Sequence, residues 1–156
     1  MRITFLWVGK TSENWLQEGI EVYLKRLKHY IQLSVNIIPA SKNMPKNDPV
    51  KQKEMEGEAI LGKVASSDEV YLLEERGHMY TSEDLAEFLQ KKMTASVRHI
   101  VFVAGGSYGF SEKVYNRANG LISFSKLTFS HQMIRLLLCE QVYRAFTILR
   151  GEPYHH

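Results

Sequence analysis

LISFSKLTFSHQMIR, residues 121–135, opens as a strand and closes as a helix. Serines break up Leu121, Ile122 and Phe124, and by Met133 helical spacing has begun, so almost no loop is expected between the two elements. Tight junctions usually draw on glycine, proline or asparagine. This one holds Ser125, Thr128, Ser130, His131 and Gln132, which form hydrogen bonds rather than turn the chain.

Downstream, a helix to about Leu149 places Ile134, Leu138, Val142, Ala145, Phe146 and Leu149 on one apolar arc that should pack on a sheet. Roughly opposite, Met133, Leu137 and Ile148 cluster around Arg144. That second patch must be covered by the same chain or by a second copy. Upstream, Arg2 to Val8 reads as a strand ending at Gly9. Trp15, Leu16, Ile20, Tyr23, Leu27 and Ile31 follow at helical spacing, with Ser12 as the expected N-cap. Residues 33–38 alternate as a strand up to Pro39, and residues 40–49 form a polar loop whose Asp48 and Pro49 suit the cap and first turn of a helix. Residues 69–75 and 99–105 are strand-like, with a helix from about Ser82 to Met93 between them and a short one near Ser111 to Asn119.

This alternation predicts an α/β fold: one domain over residues 1–156, built on a mostly parallel sheet of about five strands with helices on both faces. With 156 residues and 44% hydrophobic content, one core can be covered. The longest apolar runs are a few residues, such as Leu136 to Cys139, and MRITFLWVGK lacks a signal-peptide layout; no membrane span and a cytoplasmic location are expected. Cys139, the single cysteine, falls inside an apolar helical pattern and reads as a buried, inert thiol. Twenty Lys and Arg against seventeen Asp and Glu give +3, a weak pull toward an anionic partner.

Ligands of parallel sheets collect at the carboxyl ends of the strands. Three exits stand out: Leu72 to Glu75, Ala104 to Gly109, and Phe124 to His131. In the second, VAGGSYGF, Gly105 and Gly106 either bring backbone against an adenosine or phosphate, or simply make a tight turn; both readings stand. Neither the dinucleotide fingerprint nor the phosphate-loop motif is present, since the first strand ends only in VGK. A metal is not expected: His78, His99 and His131 are far apart, and His155–His156 lack a carboxylate or cysteine companion at ligand spacing.

The order Phe-Ser-x-x-Thr-Phe-x-His-Gln from Phe124, then Arg135, then Glu-Gln-x-Tyr-Arg-Ala from Glu140, then Tyr154–His155, together with the GGSYG turn and ITFLWVGK, resembles the bacterial ribosomal large-subunit pseudouridine N3-methyltransferases, a branch of the SPOUT methyltransferases. The resemblance spans essentially the whole chain. It implies a C-terminal trefoil knot, an exception to the rule against knots, with Phe124, Ser125, Lys126, Leu127, Thr128 and Phe129 wrapped around S-adenosylmethionine. Further cofactor contacts would fall on Leu73 and Gly105. In this reading the junction is polar because its backbone and hydroxyl groups meet adenine and ribose. The implied reaction is methyl transfer to N3 of a pseudouridine in helix 69 of 23S ribosomal RNA, in the large subunit or the assembled ribosome. The proton on N3 must be removed; His131, Glu140 and His155 are candidates, and no spacing singles one out. Arg135, Arg144, Tyr154 and His155 are expected to hold RNA, and an obligate homodimer formed through the knot region is expected.

Two positions depart from the family pattern. Ser130 stands where proline is common, which is expected to loosen the loop, and His156 stands where a permanently charged residue usually closes the chain. Two rival classes remain: a non-catalytic ribosome-binding factor with the same fold, and a flavodoxin-like nucleotide-binding module. The first needs no intact FSKLTF loop, and the second should carry its glycine loop after strand one.

Overall fold

The computed structural model describes residues 1–40 and 42–156; of the polar loop expected over 40–49, Ser41 lies outside the described residues. Five strands, β1 (Arg2–Val8), β2 (Gln32–Ile38), β3 (Glu69–Met79), β4 (His99–Ala104) and β5 (Gly120–Ser123), form one sheet in the order β2-β1-β4-β3-β5. Every pairing is parallel, as the strand–helix alternation requires.

The central strands are apolar on both faces because helices cover both. Ile3, Phe5 and Trp7 of β1 face one way with Tyr71, Leu73, Ile100, Phe102 and Ile122. Over them lie α1 (Asn14–Leu27), α3 (Ser82–Thr94) and α5 (Met133–Leu149). Leu6, Val8, Val70, Leu72, Val101 and Val103 face the other way, under α2 (Pro49–Leu61) and α4 (Glu112–Arg117). The edge strand β2 pairs only with β1, and its residues alternate between half-buried and exposed over most of its length. Among the described residues no helix is long and apolar enough to cross a membrane.

Local chemistry explains most of the helix starts. Asp48 accepts the Lys51 N–H at 3.0 Å with Pro49 in the first turn of α2, and Thr81 and Asp84 make a reciprocal capping box on α3. Ser12 does not cap α1. That helix starts at Asn14, with Glu13 in the cap position, and Ser12 instead donates its backbone N–H and hydroxyl to Gln132 Oε1 at 2.9 and 3.1 Å. Trp15 is 56% exposed, so it does not belong to the buried stripe of Leu16, Ile20 and Leu27.

The α5 arc packs as its periodicity demands, with Leu138, Val142, Ala145 and Phe146 buried. Its second patch is largely covered by the chain itself: Met133 and Ile148 pack against the same core. Leu137 is half-buried and stands outside that packing. Cys139 is fully buried, and burial pushes its thiol pKa up, which removes it as a nucleophile.

Candidate functional site

The junction from β5 to α5 is nine residues long, 124–132, rather than the near-absent loop expected, and its polar side chains hold it in place. The Ser123 hydroxyl donates to the Ser125 carbonyl at 2.8 Å, and Ser125 Oγ accepts the Leu127 N–H at 2.9 Å. Thr128 donates to the Glu75 carboxylate, and Ser130 Oγ accepts the Met133 N–H at 3.1 Å. Ser130 thereby meets the first residue of α5. Through Gln132 and Ser12 the same segment is tied to the turn between β1 and α1.

The loop roofs a cavity of about 510 Å³ at the carboxyl ends of β3, β4 and β5. Leu73, Gly105, Phe124, Ser125, Leu127, Thr128 and Phe129 all line it, so the three strand exits converge. Lys126 does not; its side chain is exposed outside the cavity. The glycine turn is needed for internal packing first. A Cβ on Gly105 would lie 2.9 Å from the Phe110 ring, and one on Gly106 would lie 2.6 Å from the Glu56 carboxylate. That carboxyl is buried, and loss of solvation raises its pKa.

An unanticipated feature sits in β3. Leu73 and His78 both register with Ile122 of β5, so the backbone between them leaves the ladder and returns. Gly77 makes the return possible, because a Cβ there would come within 2.7 Å of the Ile122 nitrogen and the Leu121 carbonyl carbon. This excursion carries Glu74, Glu75 and Arg76 into the cavity wall. The legible signal was a lone glycine after charged residues in an otherwise apolar strand.

Among the candidate bases, only His131 lines the cavity. Its Nδ1 is 3.4 Å from Ser107 Oγ, and burial, with a smaller push from Arg135, lowers its pKa, keeping the ring neutral at neutral pH. Glu140 and His155 lie in a second cluster. Arg144 bonds Glu140 Oε1 at 2.6 Å and stacks on the Tyr154 ring at 4.6 Å; Tyr154 donates to the same oxygen at 3.0 Å, and His155 Nε2 is 2.8 Å from Glu83.

Arg135 belongs to neither place. It is fully buried, and its guanidinium donates to the Val8 and Gly9 carbonyls, at 2.7 and 3.0 Å, and to Thr11 Oγ1 at 3.0 Å. Every one of those donors points inward, so the expected RNA contact does not fit its placement. Among the described residues no group of three or more His, Cys, Asp or Glu side chains is arranged to hold a metal ion.

A parallel five-stranded sheet, a polar nine-residue roof and a cavity under it define an α/β protein with a ligand site at the strand carboxyl ends. Residues 1–155 match the family model described as "Predicted SPOUT methyltransferase". Proteins named "Ribosomal RNA large subunit methyltransferase H" are similar over the full 156 residues. That of Christiangramia forsetii is 50% identical, covering 100% of this chain and 99% of its own. That of Cytophaga hutchinsonii is 45% identical, covering 100% of both. Among solved structures, a probable methylase family protein from Haemophilus influenzae Rd KW20 superposes with a TM-score of 0.55 at 12% identity, covering 99% of this chain and 70% of the other. That last likeness speaks for the fold alone. The chain belongs to the ribosomal RNA large subunit methyltransferase H family of the SPOUT methyltransferases.

Proposed function

We propose that this protein transfers a methyl group from S-adenosylmethionine to N3 of a pseudouridine in helix 69 of 23S ribosomal RNA, in the cytoplasm. The observation that carries the reading is the convergence of Leu73, Gly105 and the 124–129 loop on one cavity, in a chain of this family. The cavity suits the cofactor chemically. Its volume is in the range of small-ligand sites, and it combines the apolar Leu73, Ile122, Phe124 and Ile134 with charged side chains from the β3 excursion.

S-adenosylmethionine supplies a methyl group that is already activated. What remains for the chain is alignment, exclusion of water and disposal of the N3 proton. The roof segment, fastened at Ser125, Thr128 and Ser130, is the element that would shield a bound cofactor from water. With His131 Nδ1–H donated to Ser107 Oγ, the Nε2 lone pair is free to take the N3 proton. We assign the RNA contacts to Arg144, Tyr154 and His155, whose cluster offers a cation, an aromatic face and an imidazole.

The family supports two further assignments. The 124–129 segment forms the loop of a trefoil knot, and the active unit is a homodimer in which the C-terminal cluster of one copy serves the cavity of the other. That arrangement accounts for a cavity and an RNA-suited cluster that share no lining residue within one chain.

Calorimetric titration with S-adenosylmethionine, FMN and ATP tests the cofactor. Saturable binding of the first alone is expected. Binding of FMN or ATP in its place would support the flavodoxin-like alternative and overturn the assignment.

A further inference from the structure

The cavity lining is of two kinds. Besides the roof and the glycine turn it holds Glu74, Arg76 and Lys53 with the Tyr115 hydroxyl, the charged part of the wall. We propose that this wall is a seat for an α-amino acid zwitterion, in which Glu74 accepts the ammonium group and Lys53 faces the carboxylate. The proposal rests on the methyl-donor reading, since S-adenosylmethionine carries such a zwitterion at the end remote from its adenine.

Glu74 is the better-defined half of the seat. Its side chain is only 12% exposed, and Tyr115 holds it by a 3.2 Å hydrogen bond to Oε2. Its cationic neighbour, Arg76, is 78% exposed and reaches it only at 3.4 Å. A bond of that length on a solvated side chain holds weakly and yields readily. A largely buried carboxylate is costly unless paired, so Glu74 is placed to gain from a better-seated cation than Arg76.

Lys53 is the complement. It lines the same cavity from α2, is half-buried, and no acidic partner pairs with it among the described residues. The two groups come from separate elements and have no bond to each other. An ion pair that only stabilised the fold would bring them together. Instead, each presents an unlike charge to the same cavity, as an ammonium and a carboxylate on one carbon require.

The backbone also shows why the wall is there at all. A continuous β3 ladder would alternate residues 74–77 between the two sheet faces. The excursion permitted by Gly77 interrupts that register and brings Glu74, Glu75 and Arg76 together into the site.

Calorimetry on the full chain with two ligands tests the seat: S-adenosylmethionine, and 5′-methylthioadenosine, which keeps the adenosine and thioether but lacks the amino-acid end. For the wild type, S-adenosylmethionine is expected to bind tighter. Glu74→Gln and Lys53→Met should each weaken it about tenfold or more, while 5′-methylthioadenosine stays within about twofold. Retained binding of the truncated ligand also shows that the variants fold. Equal losses for both ligands, no loss for either, or a wild type that binds the two equally would overturn the seat and leave the cofactor assignment intact. A wild type that binds neither ligand would overturn the cofactor assignment and the seat with it.

Discussion

Arg135 Nη2 donates a 2.7 Å hydrogen bond to the carbonyl of Val8, joining the first turn of α5 to the last residue of β1. With its bonds to Gly9 and Thr11, and its guanidinium 5.5 Å from the Trp7 ring centre, it is the largest fully buried side chain. Burial lowers its pKa to about 10, which still leaves it charged at neutral pH. Its role is to satisfy the Val8 and Gly9 carbonyls where β1 ends.

Arg135→Met should therefore lower stability by about 3 kcal/mol or more, because a buried and a half-buried carbonyl lose charge-assisted bonds. Arg135→Lys should recover little of it, since an ammonium cannot reproduce the fork. Urea denaturation of the three proteins checks this. A stable Arg135→Met variant with weakened RNA binding would restore the contact expected from sequence.

At Gly77 a methyl group has no room, because the neighbouring atoms are backbone atoms of β5. Gly77→Ala should cost about 1–3 kcal/mol and detach β5 from the outer part of β3, reducing cofactor affinity. Gly105→Val acts differently from the simple filling of a ligand space. Its Cβ meets the Phe110 ring, so melting temperature and cofactor affinity should fall together. Thermal melts with and without S-adenosylmethionine separate the two cases from an affinity loss in an unaltered fold.

Element types and order were legible because each central strand is a short apolar run and most helices carry a cap or a clean 3.6-residue stripe. Asp48 illustrates the caps. The three strand exits were legible too, and they do meet. Long-range choices left less trace in the sequence. Ser12 looks like a cap until Gln132, 120 positions away, claims it. Arg135 looks like a surface arginine on a helix, and only the path of the chain past Val8 and Gly9 shows that it is buried. The β3 excursion leaves only Gly77 as a sign, because its cause is the close approach of β5.

The neutral His131 ring predicts the acid limb of the reaction. Its pKa lies below 6.5 because burial disfavours the charged form, so kcat/KM should rise through a midpoint below 6.5 and then level off. The stability sign agrees. A depressed folded-state pKa contributes stability that is present above 6.5 and is lost as pH falls through the folded value. His131→Gln should lower kcat by about a hundredfold or more while cofactor affinity holds. An unchanged pH profile in that variant would remove His131 as the proton acceptor.

Assembly can be tested at Leu137, the part of the second apolar patch that the chain's own core does not cover. A stable dimer is expected for the wild type by light scattering, with Leu137→Lys giving a folded monomer that has lost methyl transfer. Ile148→Lys is a poorer probe, because Ile148 packs within its own subunit. A fully active monomer would contradict the shared site.

The central claim is most directly tested by mass spectrometry of nucleosides released from bacterial ribosomes after incubation with the protein and isotope-labelled S-adenosylmethionine. The predicted result is one labelled 3-methylpseudouridine, mapped to helix 69 of 23S RNA, and none on a transcript carrying uridine at that position. Label on another atom or nucleotide, equal label on the uridine transcript, or no label with the cofactor bound would contradict it.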